Sequence, residues 1–263
     1  MTTLCLSSNF ASKLLLSVFP KILAAGGLLF AFEHATIAGK IVLATLAIGS
    51  IFSWSIMLTK LRVIQFAKKQ TARFRSAFRK DRQPLRLFEN HVRFPGAPLF
   101  DVYRAGCEEM AFQLLGSAEV DGTFRARLEI ADKISPAQMN AVRAAMERAV
   151  GETALKLESQ MILLASAVSG APFLGLLGTV WGVMDAFTDI AVAGSPSLAT
   201  MAPGVSGALI TTVTALCVAI PAMFGYNFLV TSIRAMIVEM DNFAAELSSE
   251  FEHKYVDHRM VEV

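Results

Sequence analysis

The stretch MILLASAVSGAPFLGLLGTVWGVM, residues 161–184, decides the fold, because it contains no charged side chain. A helix of about 20 apolar residues is long enough to cross a bilayer. The stretch also carries a polar residue, Thr179, among several glycines and one proline, and a second apolar stretch shares this composition. The threonines of that second stretch are Thr211, Thr212 and Thr214. Such spans indicate the wall of a path through a membrane rather than plain lipid anchors.

The apolar residues are concentrated in three stretches that lack Asp, Glu, Lys and Arg. Charged residues make up 17% of the 263 residues, whereas a soluble protein carries about 25%. The stretches lie between Lys40 and Lys60, between Glu158 and Asp185, and between Asp189 and Arg234. The third is too long for one span and opens with a loop at 194–197. The sequence therefore predicts an all-α membrane protein with three transmembrane helices.

The predicted helices divide the chain into segments on the two sides of the membrane. These are a periplasmic or interfacial segment (1–38), a first transmembrane helix (39–59), a cytoplasmic helical region (60–159), a second transmembrane helix (160–187), a periplasmic loop (188–202), a third transmembrane helix (203–230) and a cytoplasmic C-terminal helix (231–263). Residues 14–32 are apolar but are interrupted by Pro20 and Lys21. The sequence leaves two alternatives for residues 14–32, a helix on the membrane surface and a fourth transmembrane span.

The basic residues predict the orientation of the chain. Nine of them lie between Lys60 and Arg82, against one acid, and the loop between the second and third spans has none. Since basic loops stay in the cytoplasm, we expect a periplasmic N-terminus and a cytoplasmic C-terminus. A basic run directly after a membrane helix indicates contact with anionic lipid rather than with nucleic acid.

Apolar stripes predict that the membrane helices continue as a cytoplasmic helical bundle. The first stripe comprises Leu61, Ile64, Ala67, Phe74 and Phe78, and the last Ile233, Ile237, Met240, Phe243, Leu247 and Phe251. A further helix is expected from about Leu99 to Gly116. Ser135 and Gln138 form a capping box around Pro136. We expect one uninterrupted helix from Pro136 through the membrane to about Phe187.

Small residues predict close packing of the second and third spans. Glycines recur on the second span and alanines at helical spacing on the third, and such faces suit another helix better than lipid. The residues assigned to this packing are Gly175, Gly178, Gly182, Ala208, Ala215 and Ala219. Because three helices per chain offer few neighbours, we expect a homo-oligomer.

Each of these two spans also contains one proline and one threonine at a similar depth. Pro172 and Pro221 each remove a backbone hydrogen bond and shape their helix in the cytoplasmic half. Thr179 and Thr212 fall in the outer half and are candidates to line a path. The alternative for both threonines is a hydrogen bond to a carbonyl of their own helix.

Neither span contains Asp, Glu or His between its flanking charges. A proton relay inside a membrane normally uses one of these residues, so we expect a partner to supply the titrating group. The four histidines are dispersed and the three cysteines lie in different settings. We therefore expect no catalytic site, metal, cofactor or disulfide framework, and the chain is not predicted to be an enzyme.

The membrane part resembles the MotA/TolQ/ExbB proton channel family, closest to its TolQ and ExbB branches. The matching strings are SIFSWSIM at 50–57, APFLGLLGTVWGVMDAF at 171–187 and MAPGVSGALITTVTALCVAIPAMFGYN at 201–227. The GLxGTVWG core and the APG…ALxxT…AIPA pattern are specific to that family. By position, Thr179 and Thr212 correspond to its pore threonines, and Pro172 and Pro221 to its paired prolines.

The resemblance implies a pentameric ring in the bacterial inner membrane. Such a ring encloses single-span helices of a TolR- or ExbD-like partner, which brings a membrane aspartate. Proton flow then drives work at the outer membrane through a TonB- or TolA-like protein. One departure is Gly207, which stands where TolQ and ExbB usually have glutamate. It favours the alternative of a structural scaffold for an envelope or secretion complex that conducts no ions.

Overall fold

The computed structural model describes residues 35–80, 83–194 and 197–257. The open question on residues 14–32 lies outside them. The described helices are α1 (Ile37–Phe78), α2 (Arg86–Glu89), α3 (Pro98–Leu115), α4 (Phe124–Ile130), α5 (Pro136–Glu158), α6 (Met161–Ala193) and α7 (Leu198–Tyr255). The described residues form no strand, and one isolated bridge pairs Ile134 with Val256.

The all-α prediction is confirmed for this part of the chain. Three of its helices, α1, α6 and α7, are long and apolar enough to cross a membrane. The described residues divide into two compact units. We call the residues up to Leu58, together with Gln160–Asn227, the span unit, and Thr59–Ser159, together with the residues from Phe228 onward, the extension unit.

The core of the span unit is built from alanine and larger aliphatic side chains. Val42 and Leu46 of α1 pack in one buried cluster with small residues of the other two helices. The other members of that cluster are Ala171 of α6 and Ala215, Val218 and Ala219 of α7. Gly225 of α7 lies directly against the sulfur of Met57. Small residues at these positions let the three helices approach closely.

The core of the extension unit is aromatic. Phe74 is fully buried, and its ring centre lies 5.4 Å from that of Tyr103 and 5.5 Å from that of Phe243. The Tyr103 hydroxyl donates to the Pro84 carbonyl at 2.7 Å and accepts from the Phe88 amide at 3.0 Å. The edge-to-face contact between Phe74 and Phe243 adds to the free energy gained by burying the rings. The predicted stripes of α1 and α7 supply Phe74 and Phe243, as expected.

The start of α5 is confirmed, but its predicted continuation through the membrane is wrong. Ser135 and Gln138 form the reciprocal capping box. The helix ends at Glu158, and α6 begins at Met161 after Gln160, whose φ of 66° is left-handed. The Leu157 carbonyl would accept the Met161 amide in a continuous helix. Instead it accepts the buried Lys60 ammonium at 3.1 Å.

The helices on either side of the predicted periplasmic loop are longer than expected. We predicted a loop over 188–202, whereas α6 runs to Ala193 and α7 begins at Leu198. Gly194, with φ of 68°, caps the end of α6 by donating its amide to the Ile190 carbonyl at 3.1 Å. Pro203 therefore lies inside α7 rather than at its start. The membrane boundaries themselves stay predictions.

Candidate functional site

The candidate site lies where α6 packs against α7 inside the span unit. The buried face of α6 comprises Ala171, Gly175, Gly178, Gly182 and Ala186. A methyl group added at Gly182 would lie 2.7 Å from the Ala208 Cβ, and one at Gly175 would lie 2.5 Å from the Ala215 Cβ. These distances are below van der Waals contact, so the backbones of the two helices approach as closely as glycine allows.

Thr179 and Thr212 meet across this contact. Their hydroxyl oxygens are hydrogen-bonded to each other, and either can be the donor. Each oxygen also lies 3.0 Å from the Gly175 carbonyl oxygen. Both residues are half-buried. The structure therefore brings the two candidate threonines, from different helices, onto one shared acceptor.

The sequence left open whether each threonine bonds only a carbonyl of its own helix, and the structure gives a different result for the two residues. Thr179 donates to Gly175, four residues earlier in its own helix, and lies 3.5 Å from the Ala208 carbonyl oxygen of the other helix. The Gly175 carbonyl that Thr212 reaches belongs to the other helix. A hydrogen bond within its own helix therefore accounts for only one of the two carbonyl contacts of Thr179.

Thr211 belongs to this cluster, although it was not among the candidate residues. It is fully buried, and its hydroxyl lies 2.7 Å from the Ala208 carbonyl oxygen and 3.1 Å from that of Gly175. A methyl group added at Gly178 would lie 2.6 Å from the Thr211 oxygen. One sequence signal could have revealed it, because Thr211 lies three residues after Ala208 and four before Ala215, on the same helical face.

Three further candidate residues, Ala219, Pro172 and Pro221, lie outside the hydrogen-bonded threonine cluster. Ala219 packs in the core cluster with Val42 and Leu46 of α1. Pro172 and Pro221 lie inside α6 and α7, which stay helical through both positions. Each proline lacks the amide that would bond the carbonyl four residues earlier.

Acidic side chains of α6 begin only beyond the glycine face. Asp185 is half-buried and Asp189 is exposed. Both line a groove with Thr36, Ile41 and Trp181 at the end of the span unit where α1 begins. Between Lys40 and Lys60, and between Glu158 and Asp185, the chain has no acid or histidine.

Gly207 of α7 is buried one residue before Ala208. Between Asp189 and Arg234 the sequence again has no acid or histidine. The threonine hydroxyls are therefore the polar side chains of the α6–α7 contact, and they donate and accept hydrogen bonds but do not titrate in the physiological range. The site can orient a proton-carrying group or water, and it cannot itself store a proton.

Comparison with known proteins gives one family. The model of the MotA/TolQ/ExbB proton channel family matches residues 117–242. The chain is 30% identical to the Tol-Pal system protein TolQ of Pseudomonas aeruginosa over 225 residues, which cover 84% of this chain and 91% of TolQ. The TolQ of Haemophilus influenzae is 30% identical over 219 residues, which cover 83% of this chain and 90% of that TolQ.

A second group of relatives carries the name biopolymer transport protein ExbB. The ExbB of Xanthomonas campestris pv. campestris is 44% identical over 107 residues, which cover 41% of this chain and 42% of that protein. The ExbB of Pseudomonas putida is 31% identical over 216 residues, covering 82% of this chain and 60% of that ExbB.

Proposed function

Because the chain belongs to the MotA/TolQ/ExbB proton channel family, we propose that it is the ring-forming subunit of an inner-membrane motor driven by protons. Its relatives are transport-type membrane proteins of the Tol-Pal and ExbB systems. Five copies form a homopentameric ring, in which α6 and α7 of each copy line the path. The proton motive force supplies about 2.3 kcal/mol per proton for each 100 mV.

The contact between Thr179 and Thr212 is the observation that supports this proposal best. Two hydroxyls from different helices converge on the Gly175 carbonyl inside an apolar unit. Hydroxyls withdrawn from water cost free energy unless they are hydrogen-bonded. Such a cluster is expected where the wall of a path must offer hydrogen bonds to a passing group.

A partner chain completes the path, because a proton needs a titratable group inside the membrane. The apolar stretches of this chain contain no Asp, Glu or His. A single-span protein of the ExbD or TolR type supplies the carboxyl group as a membrane aspartate. Movement of that helix inside the ring transmits work to the outer membrane through a TonB- or TolA-like protein.

The orientation follows from charge. Basic residues crowd the stretch from Lys60 to Lys80 without one acid, which puts the C-terminal part of α1 in the cytoplasm. The N-terminus is then periplasmic and the C-terminus cytoplasmic. In this orientation Asp185 and Asp189 lie at the periplasmic entrance of the path.

A scaffold that assembles an envelope or secretion complex without ion flow is the second candidate. The observation that favours it is Gly207, at the position where the resemblance to TolQ and ExbB implies a glutamate. Glycine at this buried position supplies no charge to the path. The two candidates differ in one measurable property, which is proton flux.

The test is a flux measurement on the chain co-expressed with a single-span protein of the ExbD or TolR type. Proton uptake into proteoliposomes is followed with a pH-sensitive dye under an imposed potential. We expect Thr179→Val and Thr212→Val each to lower the flux at least about tenfold, by weakening transition-state stabilisation by about 1.4 kcal/mol. Assembly, measured by size-exclusion chromatography, should be unchanged.

Thr45→Val is the matched control. Thr45 is an exposed threonine of α1 whose hydroxyl bonds only its own helix in the structure, to the Ile41 carbonyl at 2.9 Å. We expect wild-type flux from this variant. Full flux in both Thr179→Val and Thr212→Val would rule out the proposed path, and absence of flux in the wild-type complex would favour the scaffold.

A further inference from the structure

Three threonine hydroxyls compete for the Gly175 carbonyl. Thr179 and Thr212 lie 3.0 Å from its oxygen and Thr211 lies 3.1 Å from it. A carbonyl oxygen has two lone pairs, and in α6 one of them accepts the backbone amide four residues later. Only one of the three hydroxyls can therefore donate a full hydrogen bond to Gly175 at any time.

Thr211 is the member of the trio that lies closest to a second carbonyl, since Thr179 is 3.5 Å from the Ala208 carbonyl oxygen. The Ala208 carbonyl oxygen lies 2.7 Å from its hydroxyl, and that of Gly175 lies 3.1 Å from the same oxygen atom. Rotation of the O–H bond alone therefore changes the acceptor, and no heavy atom has to move. Thr211 is fully buried. Water therefore does not compete with the two carbonyls for its hydroxyl hydrogen.

In the first arrangement Thr211 donates to Ala208. One hydroxyl of the Thr179–Thr212 pair then donates to Gly175, and the other donates to its neighbour. Each threonine has a single hydroxyl hydrogen. Both hydrogens of the pair are used inside the wall, and neither remains to bond a carboxylate in the path.

In the second arrangement Thr211 donates to Gly175 instead. The pair then needs only one hydrogen for its mutual bond. When Thr179 donates that bond, the hydrogen of Thr212 is free to point into the path; when Thr212 donates it, the hydrogen of Thr179 has only the Ala208 carbonyl oxygen, 3.5 Å away, as an acceptor in the wall. We propose that Thr211 is a positioning residue that, by this rotation, releases one hydroxyl of Thr179 or Thr212 to bind the carboxylate of the partner helix. This inference rests on the proposed function.

Close packing holds the heavy atoms of Thr211 in place, so its hydroxyl turns between two fixed acceptors. The side chain of Thr211 fills the hollow over Gly178, where an added methyl would lie 2.8 Å from the Thr211 Cβ. A methyl added at Gly39 of α1 would lie 3.9 Å from the Thr211 Cγ2. Because the heavy atoms are held on these sides, the hydroxyl hydrogen is the only part of the residue that has to move.

The test compares Thr211→Ser with Thr211→Ala in the complex with the single-span protein. Both variants lose the methyl group, and only serine keeps the hydroxyl, so the pair isolates the hydrogen bond from the packing. We expect Thr211→Ala to lower proton flux about fivefold, the equivalent of one hydrogen bond. Thr211→Ser should stay within about twofold of the wild type.

Thermal stability in detergent is measured for both variants as the structural readout. Both should be less stable than the wild type through the missing methyl group, and Thr211→Ala should be the less stable of the two because it also lacks the hydrogen bond. Equal flux in Thr211→Ser and Thr211→Ala would overturn the inference, since packing alone would then explain the residue. If Thr211→Ala does not assemble, Thr211→Val keeps the volume without the hydroxyl and should show the same loss of flux. Wild-type flux in Thr211→Val would also overturn it.

Failure of the inference and failure of the proposed function give different results. If Thr179→Val blocks flux while Thr211→Ala conducts like the wild type, only the role of Thr211 is wrong. If Thr179→Val and Thr212→Val both conduct fully, the path itself is wrong and the role of Thr211 falls with it.

Discussion

Gly178 of α6 faces Thr211 of α7 so closely that a methyl group at Gly178 would lie 2.6 Å from the Thr211 oxygen and 2.8 Å from its Cβ. The absence of a side chain at Gly178 is therefore what admits a branched, hydroxyl-bearing residue into the helix contact. Gly175 and Gly182 face alanine instead. The same glycine face thus packs two kinds of neighbour, and only one of them is polar.

Gly178→Ala is expected to destabilise the span unit by about 1–3 kcal/mol, because the added methyl overpacks the contact with Thr211. Gly170→Ala is the matched control on the same helix, since nothing lies within 4 Å of a methyl added there. Helix propensity favours alanine by about 1 kcal/mol, so the control should be neutral or stabilising. Thermal unfolding in detergent measures both, and equal midpoints would contradict the assigned packing.

Lys60→Met is expected to destabilise the extension unit by about 1–3 kcal/mol, because it leaves the buried Leu157 carbonyl without its donor. The Lys60 ammonium bonds the Leu157 carbonyl at 3.1 Å and the Ser159 hydroxyl at 2.9 Å. Burial lowers the pKa of this ammonium. Chemical denaturation followed by circular dichroism measures the effect. Lys69→Met removes an exposed lysine of the same helix, and a similar loss from it would count against the bonding role of Lys60.

Arg75 and Glu239 pair across α1 and α7 at 2.9 Å, with side chains 37% and 34% exposed. A partly exposed ion pair contributes about 0.5–1 kcal/mol. A double-mutant cycle with Arg75→Gln and Glu239→Gln should therefore give a coupling free energy of that size, which declines with added salt. A coupling of zero at low salt would show that the pair does not help to hold the two helices together.

Tyr255→Phe is expected to leave stability at neutral pH unchanged or improved. The Tyr255 hydroxyl is buried, and among the described residues it has no hydrogen-bond partner, so the substitution removes a desolvated polar group. Burial, with smaller effects of Cys107 and Glu89, raises the pKa of Tyr255 to about 12 from 10.0. Ionisation is thus harder in the folded state, and the stability from this group is lost as pH rises from about 10 towards 12.

The alkaline part of that prediction is checked by unfolding the protein at a series of pH values. The loss for one such group is at most about 1.4 kcal/mol per pH unit, and Tyr255→Phe should reduce it. A steeper alkaline decline in the variant would contradict the assignment. Titration of tyrosinate absorbance gives an independent measure of the raised pKa.

Much of the fold could be predicted because it depends on properties that short segments carry alone. Helical periodicity identified the stripes of α1 and α7, and the capping box at Ser135 identified the start of α5. The break at Ser159 and Gln160 could not be found this way. It depends on Lys60, which lies 97 residues from Leu157 in the chain, and no local pattern signals a donor that arrives from another helix.

The candidate site was only partly predicted, because local sequence patterns reveal unusual residues but not the contacts between helices. Thr179 and Thr212 stand out as polar residues in apolar stretches, and the structure places their hydroxyls in contact. Thr211 stands beside Thr212 in the sequence with nothing that marks it as different. Its position over Gly178 and its two carbonyl acceptors depend on how closely α6 approaches α7.

The sequence by itself determined that three stretches of the described residues can cross a membrane as helices and that these stretches contain no Asp, Glu or His. Both properties follow from composition and length, because a bilayer demands a long uncharged helix. Only the tertiary structure decided which hydroxyls share the Gly175 carbonyl and where the helix from Pro136 ends. Both depend on distances of a few ångströms between segments far apart in the chain, which are set by packing.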